Sequence, residues 1–576
     1  MKNHAALQAV KVASSLNDIE RVKPGEATTG ANIIQVLENG KKVHYRTGDP
    51  LFVDAIKSLN MPELPFMSLI SAPSNLLRNF VTKDPGFMLA NMMRDSLSAW
   101  VTSGKDITPF IGTVGQFTKA LKGKSPEFEA LMNAGILGGY EFSQNVQQSG
   151  LNLQKDLAKK NVKATGIGGK LLETVNWVWD GLEKGTTASD AATRALVYER
   201  VLKETGNEAE ALYRALEVMN FNRKGNSPVV RILTAAVPFL NARFQGLDVF
   251  WRTASGGLND PNAKEMQRAF IKRGLLLMGL TAMYYACVQG DPDYEKQEEE
   301  TKDNYWILPS VGVKIPIPFE VGVLFKVLPE RLLSYSMGNS TGKDLMDSAA
   351  RNLANTFAFN PIPQAVKPIV EDVTNFNFFT MRPIVGQGME GLEAKYQTGP
   401  NTSITAQKLG AYFDHSPLKI DNMIRGYLGA VGTYATDLLD TVLSGVADAP
   451  KADKRLEQMA VFKRFMVDKE ARGNITAYYA LKHEVDTAVK TMNFLEKSGA
   501  PGEYEQYVTD NQALLANKDY VNDLDKQMKN FREMRKQING MDIPGDEKRD
   551  MLTELGQAEN NLTENIKEVK RLIANQ

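Results

Sequence analysis

Gly274-Leu-Leu-Leu-Met-Gly-Leu-Thr-Ala-Met-Tyr-Tyr-Ala-Cys-Val288 is the stretch on which the fold turns. Arg268, Lys272 and Arg273 precede it, and the acidic segment Asp291-Pro-Asp-Tyr-Glu-Lys-Gln-Glu-Glu-Glu-Thr-Lys-Asp303 follows almost at once. The run of about fifteen residues is long enough for a helix. It is short of the roughly 20 that cross a bilayer unaided. Two readings stay open: a buried core helix, or a segment that enters a membrane part-way. In the second, cations before and acids after would place Arg273 on the cytoplasmic side. In the first, the same flanks are solvated helix ends. The residues that would meet lipid are Leu275, Leu276, Leu277, Leu280, Met283, Tyr284 and Tyr285.

Outward from this run, residues 304–317 alternate like a β-hairpin, and Val321 to Arg331 closes the stretch. A second hairpin is expected over about residues 32–46, where Asn39-Gly40 separates two strand-like runs. Both residues of that pair tolerate the positive φ that a tight hairpin turn needs. Leu51 to Leu59 reads as a short helix.

From Asp84 the pattern is helical. Asp84 is placed to cap, with Pro85 at the first helical position. Asn91, Arg94, Asp95 and Ser98 share one side, while Met88, Leu89, Met92, Met93, Leu97 and Trp100 cover the rest. Such a helix is expected to be buried nearly all round, its polar strip finding partners inside the protein. Residues 126–217 read as helices with glycine-rich breaks. Gly166-Ile-Gly-Gly-Lys170 lacks the first glycine and the Ser or Thr of a phosphate loop. Pro238 should kink or restart a helix, with Arg243 and Arg252 either capping a buried helix or snorkelling at a membrane edge.

Later, residues 344–357 are helical and 368–401 irregular and rich in aromatics. Gly426, Gly429 and Gly432 offer a face for close helix approach, and Asp437 and Asp440 argue against a membrane span there. Beyond Pro450 charge rises. Val521, Leu524, Met528, Phe531 and Ile538 recur at spacings of three, four and seven, as do Leu552, Leu555, Leu562, Ile566, Val569 and Ile573 after Pro544-Gly545. Two antiparallel helices with a coiled-coil-like seam follow, a seam that must bury itself by self-association or against the body.

The fold class expected is mainly α: an elongated multi-helix protein with small hairpins and a C-terminal αα-hairpin. Length bounds it, since 576 residues make three or four units at ~100–200 residues each. The divisions read as 1–60, 61–260, 261–335 (apolar helix, acidic loop, hairpin), 336–450 and 451–576. Net charge is zero, so nothing global draws the chain to DNA or anionic lipid. Cys287 alone cannot make an internal disulfide or a multi-cysteine metal site, and four scattered His give no metal motif. No cofactor is expected. No signal peptide is visible, and the start reads as mid-helix, as in a piece of a longer protein. Gly338-Asn-Ser-Thr-Gly342 spells a nucleophile elbow but follows a helix-like run, so it reads as a polar loop. His483-Glu484 lacks the second His of a zinc site. No catalytic residues are nominated.

Several blocks in order carry a resemblance. They are Asp84 to Val101, Val237-Pro-Phe-Leu-Asn-Ala-Arg-Phe-Gln-Gly246, Lys314-Ile-Pro-Ile-Pro-Phe-Glu-Val-Gly322, Leu328-Pro-Glu-Arg331 and Ser416-Pro-Leu-Lys-Ile-Asp421. Over roughly residues 30 to 470 the chain resembles a large polyvalent-protein-associated domain of giant proteins from tailed phages and prophages. The resemblance implies an internal virion, or ejection, protein that leaves the capsid with the genome and assembles a conduit across the host envelope. It implies copies of itself, other virion proteins and the host inner membrane as partners, with phage DNA in transit as a further one. It places the protein in the virion, then in the host periplasm and inner membrane. Asn91, Arg94, Asp95, Asn241, Phe319, Glu320 and Arg331 carry over only as architecture. A structural core or portal-associated component is the alternative, and a cell-wall hydrolase a third reading.

Overall fold

The computed structural model describes residues 19–23, 32–38, 41–48, 67–134, 167–218, 228–256, 263–357, 362–379, 382–399, 401–443, 452–459, 461–499 and 501–574, with residues 10, 11, 14, 26 and 53. The expected helix over 51–59 lies outside the described residues but for Val53. The fold is mainly α, an elongated run of helices with small antiparallel sheets. Apolar side chains gather in separate clusters, so successive helix groups each bury a core of their own.

Strands Ile33–Glu38 and Lys41–Thr47 pair with Glu38 opposite Lys41, the register that leaves Asn39-Gly40 as the turn. A third strand, Ile19–Arg21, adds to the outer edge of the second. No periodicity in its three residues announced it.

The Pro85–Thr102 helix starts as expected, with the backbone N–H of Gly86 donating to the Asp84 carboxylate at 3.1 Å. It packs on the Ile167–Thr205 helix, which runs unbroken for 39 residues. Gly181 and Gly185 make no break within it, Gly206 with φ 65° does end it, and the glycines of residues 135–166 lie outside the described residues. Gly185 instead faces the Met88 sulfur, so the small residue serves helix crossing and not a turn. Pro238 does restart a helix, between Pro228–Ala236 and Leu240–Ser255.

The Ala263–Val288 helix, here called the central helix, contains the whole apolar run. The acidic segment after it is no loop. Asp291 caps the short helix Pro292–Glu295, and Glu299–Asn304 forms another. Of their carboxylates Asp303 is buried, paired with Arg331 and Arg351 of later helices. Strands Tyr305–Leu308 and Val313–Pro316 make the second expected hairpin. Its free edge is covered, because Lys314 N–H donates to Phe465 C=O at 2.7 Å and Val467 N–H to Gly312 C=O at 2.9 Å. Next come Phe319–Gly322, a single wide π-helical turn at Val323–Val327, and Leu328–Ser336. Residues 368–401 are more ordered than expected, with helix Lys367–Thr374 and a two-residue strand pair.

Pro417–Leu443 is kinked at Gly429, whose φ of 58° suits glycine. A Cβ there would sit 3.0 Å from Val81, so this helix and Met67–Thr82 approach closely. At the C-terminus the seam is satisfied within the chain. Val521, Leu524, Met528 and Ile566 pack on Ile475, Tyr478, Leu481 and Val485 of the Gly473–Ser498 helix. The second arm of the hairpin is broken into Gly545–Leu562 and Ile566–Ala574. The αα-hairpin is thus part of a larger bundle.

Candidate functional site

The central helix has two unlike faces. Phe270, Gly274, Leu277, Thr281, Tyr285 and Val288 are buried, at steps of three and four that keep them on one side. Phe270 stands edge-on to Phe250 and Phe325, with ring centroids 5.6 and 5.1 Å away. A Cβ on Gly274 would overlap the Phe325 ring, so the helix sits there only because that residue has none. Thr281 Oγ1 donates to Phe325 C=O at 3.3 Å. That carbonyl belongs to the π turn, whose wide winding presents backbone groups that an α-helix would keep to itself. Arg273 donates to Trp100 C=O and lies over the Trp100 ring, 5.5 Å from its centroid.

The opposite face is bare. Leu275, Leu276, Leu280 and Met283 are 60, 53, 51 and 68% exposed, and Cys287 is exposed too. The face opens with exposed Lys264, Glu265 and Lys272. The seven lipid-contact residues named above therefore divide. Leu277 and Tyr285 are buried, and half-buried Tyr284 accepts from Ile307 N–H at 2.8 Å. These three hold the helix to its own domain; the other four face outward. Neither half of the core-or-membrane alternative describes the whole helix. Among the described residues, no helix is long and apolar enough to cross a membrane.

Beneath the buried face lies a hub of charges. The Asp303 carboxylate accepts from Arg331 Nε and Nη2 at 2.9 and 2.6 Å, Arg351 Nη2 at 2.7 Å and Asn352 Nδ2 at 2.9 Å. Ser348 Oγ adds a bond at 3.1 Å. Burial alone would raise this carboxyl, but Arg331 and Arg351 outweigh it and hold Asp303 below the usual carboxylate range. Arg331 also reaches Glu299 at 2.5 Å. Burial opposes the Glu299 charge, yet Lys302, Arg331 and Lys567 together hold its carboxyl well below the usual value. Alongside, Lys326 and Glu330 are 1 and 2% exposed and pair at 2.9 Å. Tyr294 Oη donates to Glu330 at 2.7 Å, and Lys326 Nζ donates to Lys302 C=O. Lys567 joins the C-terminal bundle to the hub through Glu295 C=O at 2.5 Å and Glu299 at 3.2 Å. A buried network of this kind rigidifies only when its members are satisfied together.

The remaining architectural residues sit on a second junction. Asn91 donates to Asp95 at 2.8 Å, and Arg94 Nε to Ile317 C=O at 3.1 Å, two residues before Phe319. Asn241 is buried, and Glu320 lies against Gly246 of the same Leu240–Ser255 helix. The Phe319 side chain lies outside the described residues. Arg331 belongs to the Asp303 hub and not to this junction. Arg252 pairs with buried Glu217 and with Asp248. Asp84 does more than cap. It also accepts from Tyr434 Oη at 2.8 Å and from Arg464 at 3.0 Å, tying the Pro85–Thr102 helix to the later chain.

Asp303, Ser348, Asn352, Lys326 and Glu330 escaped the sequence reading. Asp303 sits in an acidic run that reads as solvated, and its partners are 28 to 49 positions away. The four-residue spacing of Lys326 and Glu330 was the one local signal. The Gly338–Gly342 stretch is an inter-helix loop. Asn339 donates to Tyr285 Oη at 3.2 Å and Gln289 at 3.0 Å, clasping the end of the central helix. Among the described residues, no three His, Cys, Asp or Glu are grouped to hold a metal ion.

Residues 291–462 match the family model of large polyvalent protein associated domain 38. No curated protein and no solved structure matches the chain. The hub, the covered hairpin and the π turn all fall inside the matched span, whereas the central helix and the Asp84 and Val237 blocks lie before it and pack on it. The span also holds Asp421, whose carboxylate accepts from Ser403 N–H at 2.8 Å and Ser403 Oγ at 2.6 Å, pinning the start of the Ile404–Phe413 helix. Residues 291–462 are thus similar to a large polyvalent protein associated domain, over a shorter span than the resemblance of residues 30 to 470 implied.

Proposed function

We propose that this protein is a non-enzymatic internal virion, or ejection, protein whose copies assemble into a conduit across the host envelope for genome delivery. The observation that carries the reading is the bare stripe Leu275, Leu276, Leu280 and Met283 on a helix whose other face is locked to its domain. A contiguous exposed apolar patch marks a contact surface. From Leu275 to Met283 the stripe measures about 12 Å at 1.5 Å per residue, well under the ~30 Å hydrocarbon core of a bilayer. Lys264 and Lys272 at its head suit lipid headgroups. The stripe therefore lies in the membrane interface, and passage across the bilayer needs several copies together.

Flotation with vesicles of host-like lipids tests the lipid part. Recovery of the wild-type chain, lost on the double change Leu276→Asp and Leu280→Asp, is expected; no flotation of the wild type removes membrane contact. Ejection is tested separately by mass spectrometry of intact virions against emptied ghosts. A protein retained in the ghosts is not ejected.

A structural core or portal-associated role without lipid is the second reading. It is favoured by further exposed apolar side chains in the matched domain, Val373, Phe379 and the edge-to-face pair Tyr412 and Phe413. Exposed apolar side chains of this kind suit protein contact. Retention in ghosts with no flotation would select this reading.

A further inference from the structure

With its other side held in a seat against Phe325, the central helix turns outward a face that is polarised from end to end. The first turns carry Lys264, Arg268 and Lys272, all exposed and paired with no acid among the described residues. Glu265 is turned to its own chain, 3.8 Å from Lys105, and Arg273 to Trp100. Arg268, Lys272, Leu275, Gly279, Met283 and Ala286 follow one another at steps of three and four, so they share one side. Leu276, Leu280 and Cys287 flank them, exposed as well. Past the apolar part the chain turns acidic. Asp291 N–H donates to Val288 C=O at 3.1 Å, and the side chains of Asp293, Glu295 and Glu298 stay partly exposed.

Two features decide what fits against this face. Its middle is low: among the described residues nothing lies within 4 Å of where a Cβ on Gly279 would stand, so a second helix can approach closely there. Its two ends carry opposite charge. Another copy laid antiparallel sets its cations over the acids of the first, at both ends at once. A parallel copy sets cation on cation and acid on acid. A face that complements itself under a two-fold rotation is what an isologous pair requires.

We propose that the outward face of the central helix is a pairing surface for a second copy of this chain, the two central helices lying antiparallel about a two-fold axis level with Thr281 and Ala282. In that register Leu276 of one copy lies beside Cys287 of the other, Leu280 beside Met283, and Lys272 beside Asp291. The contact runs about 36 Å, from Lys264 to Val288 at 1.5 Å per residue. Two helices alone cover less area than a standard stable interface, so the pair is reversible and forms at micromolar concentration. The second copy keeps the apolar stripe from water until lipid takes its place. The pair goes beyond the reading given to this face above: it rests on the face being bare, and its test contains no vesicles. Flotation can fail while pairing holds, and the reverse.

Cysteine cross-linking of the full chain at micromolar concentration tests the register. In the antiparallel pair the two Cys287 Cα atoms are about 17 Å apart along the axis, beyond the roughly 7 Å that a disulfide spans. Leu276→Cys, which keeps Cys287, is expected to form a disulfide-linked dimer under mild oxidation. The wild type, with Cys287 alone, and Leu276→Cys combined with Cys287→Ser, with position 276 alone, are expected to stay single on the same non-reducing gel. Sedimentation of the wild type should show a monomer–dimer equilibrium. Its dissociation constant should rise about tenfold on the double change Arg268→Glu and Lys272→Glu. All these positions are exposed, and unchanged thermal unfolding reports that the variants fold. A wild type that sediments only as monomer, a cross-link from either single cysteine, no cross-link in Leu276→Cys, or an unmoved dissociation constant in the charge-reversed chain would overturn the pairing.

Discussion

The C-terminal bundle and the seat of the central helix are both helical, yet they are held by different physics. In the bundle, Leu481, Val485, Val521, Leu524 and Met528 make an aliphatic seam. Lys482, Asp525 and Lys529 sit on its outside, where such pairs are worth ~0–1 kcal/mol each. At the seat, aromatic edges meet a π turn, and Asp303, Lys326, Glu330 and Arg331 are buried together. An aliphatic seam degrades by degrees as methylenes are lost. A buried ionic hub fails as a unit, because any member removed leaves a charge stranded. The seat thus trades tolerance for a fixed register, and that register is what turns Leu276 and Leu280 outward.

The sharpest way to break this comparison is to remove its centre. Asp303→Ala strands Arg331 and Arg351 and should cost about 3–5 kcal/mol, read by urea unfolding with peptide-resolved exchange over 291–357. Met528→Ala in the bundle seam should cost about 2–4 kcal/mol, confined to 473–574. A smaller loss for Asp303→Ala than for Met528→Ala would reverse the assignment of roles. Gly274→Ala should cost about 1–3 kcal/mol by driving a methyl into the Phe325 ring, visible as faster exchange over 263–288. The smallest stability effect belongs to Leu276→Asp, within about 0.5 kcal/mol, since that side chain packs on nothing that must be repaid. A large loss there would mean the outer face is not bare.

The difference also explains what could be read beforehand. Wherever a local rule acts alone, the element was legible. Asn39-Gly40 marked its hairpin, Asp84-Pro85 its helix start, and the three-four spacing from Val521 to Ile538 its seam. What the seam packs on was not legible, because the Gly473–Ser498 helix shares no covalent or periodic tie with it. The hub was invisible for the same reason, its members lying on separate helices far apart in the chain. The acidic run 291–303 read as a loop because charge alone is ambiguous: the distant Arg331 and Arg351 turn Asp303 inward. For the apolar run a core helix and a membrane-entering segment both stayed open, because fifteen residues without a charge carry too little periodicity to separate two faces. The partners Phe325 and Tyr285–Asn339 break that symmetry in space.

Cys287 offers the most direct test of the outward stripe, since it is the one cysteine of the chain and exposed on the same helix one turn beyond Met283. A polarity-sensitive fluorophore attached there should shift to shorter wavelength when vesicles are added, and the shift should vanish with Leu276→Asp and Leu280→Asp while thermal unfolding stays unchanged. An emission spectrum indifferent to vesicles, or a shift that survives the two aspartates, would contradict the account.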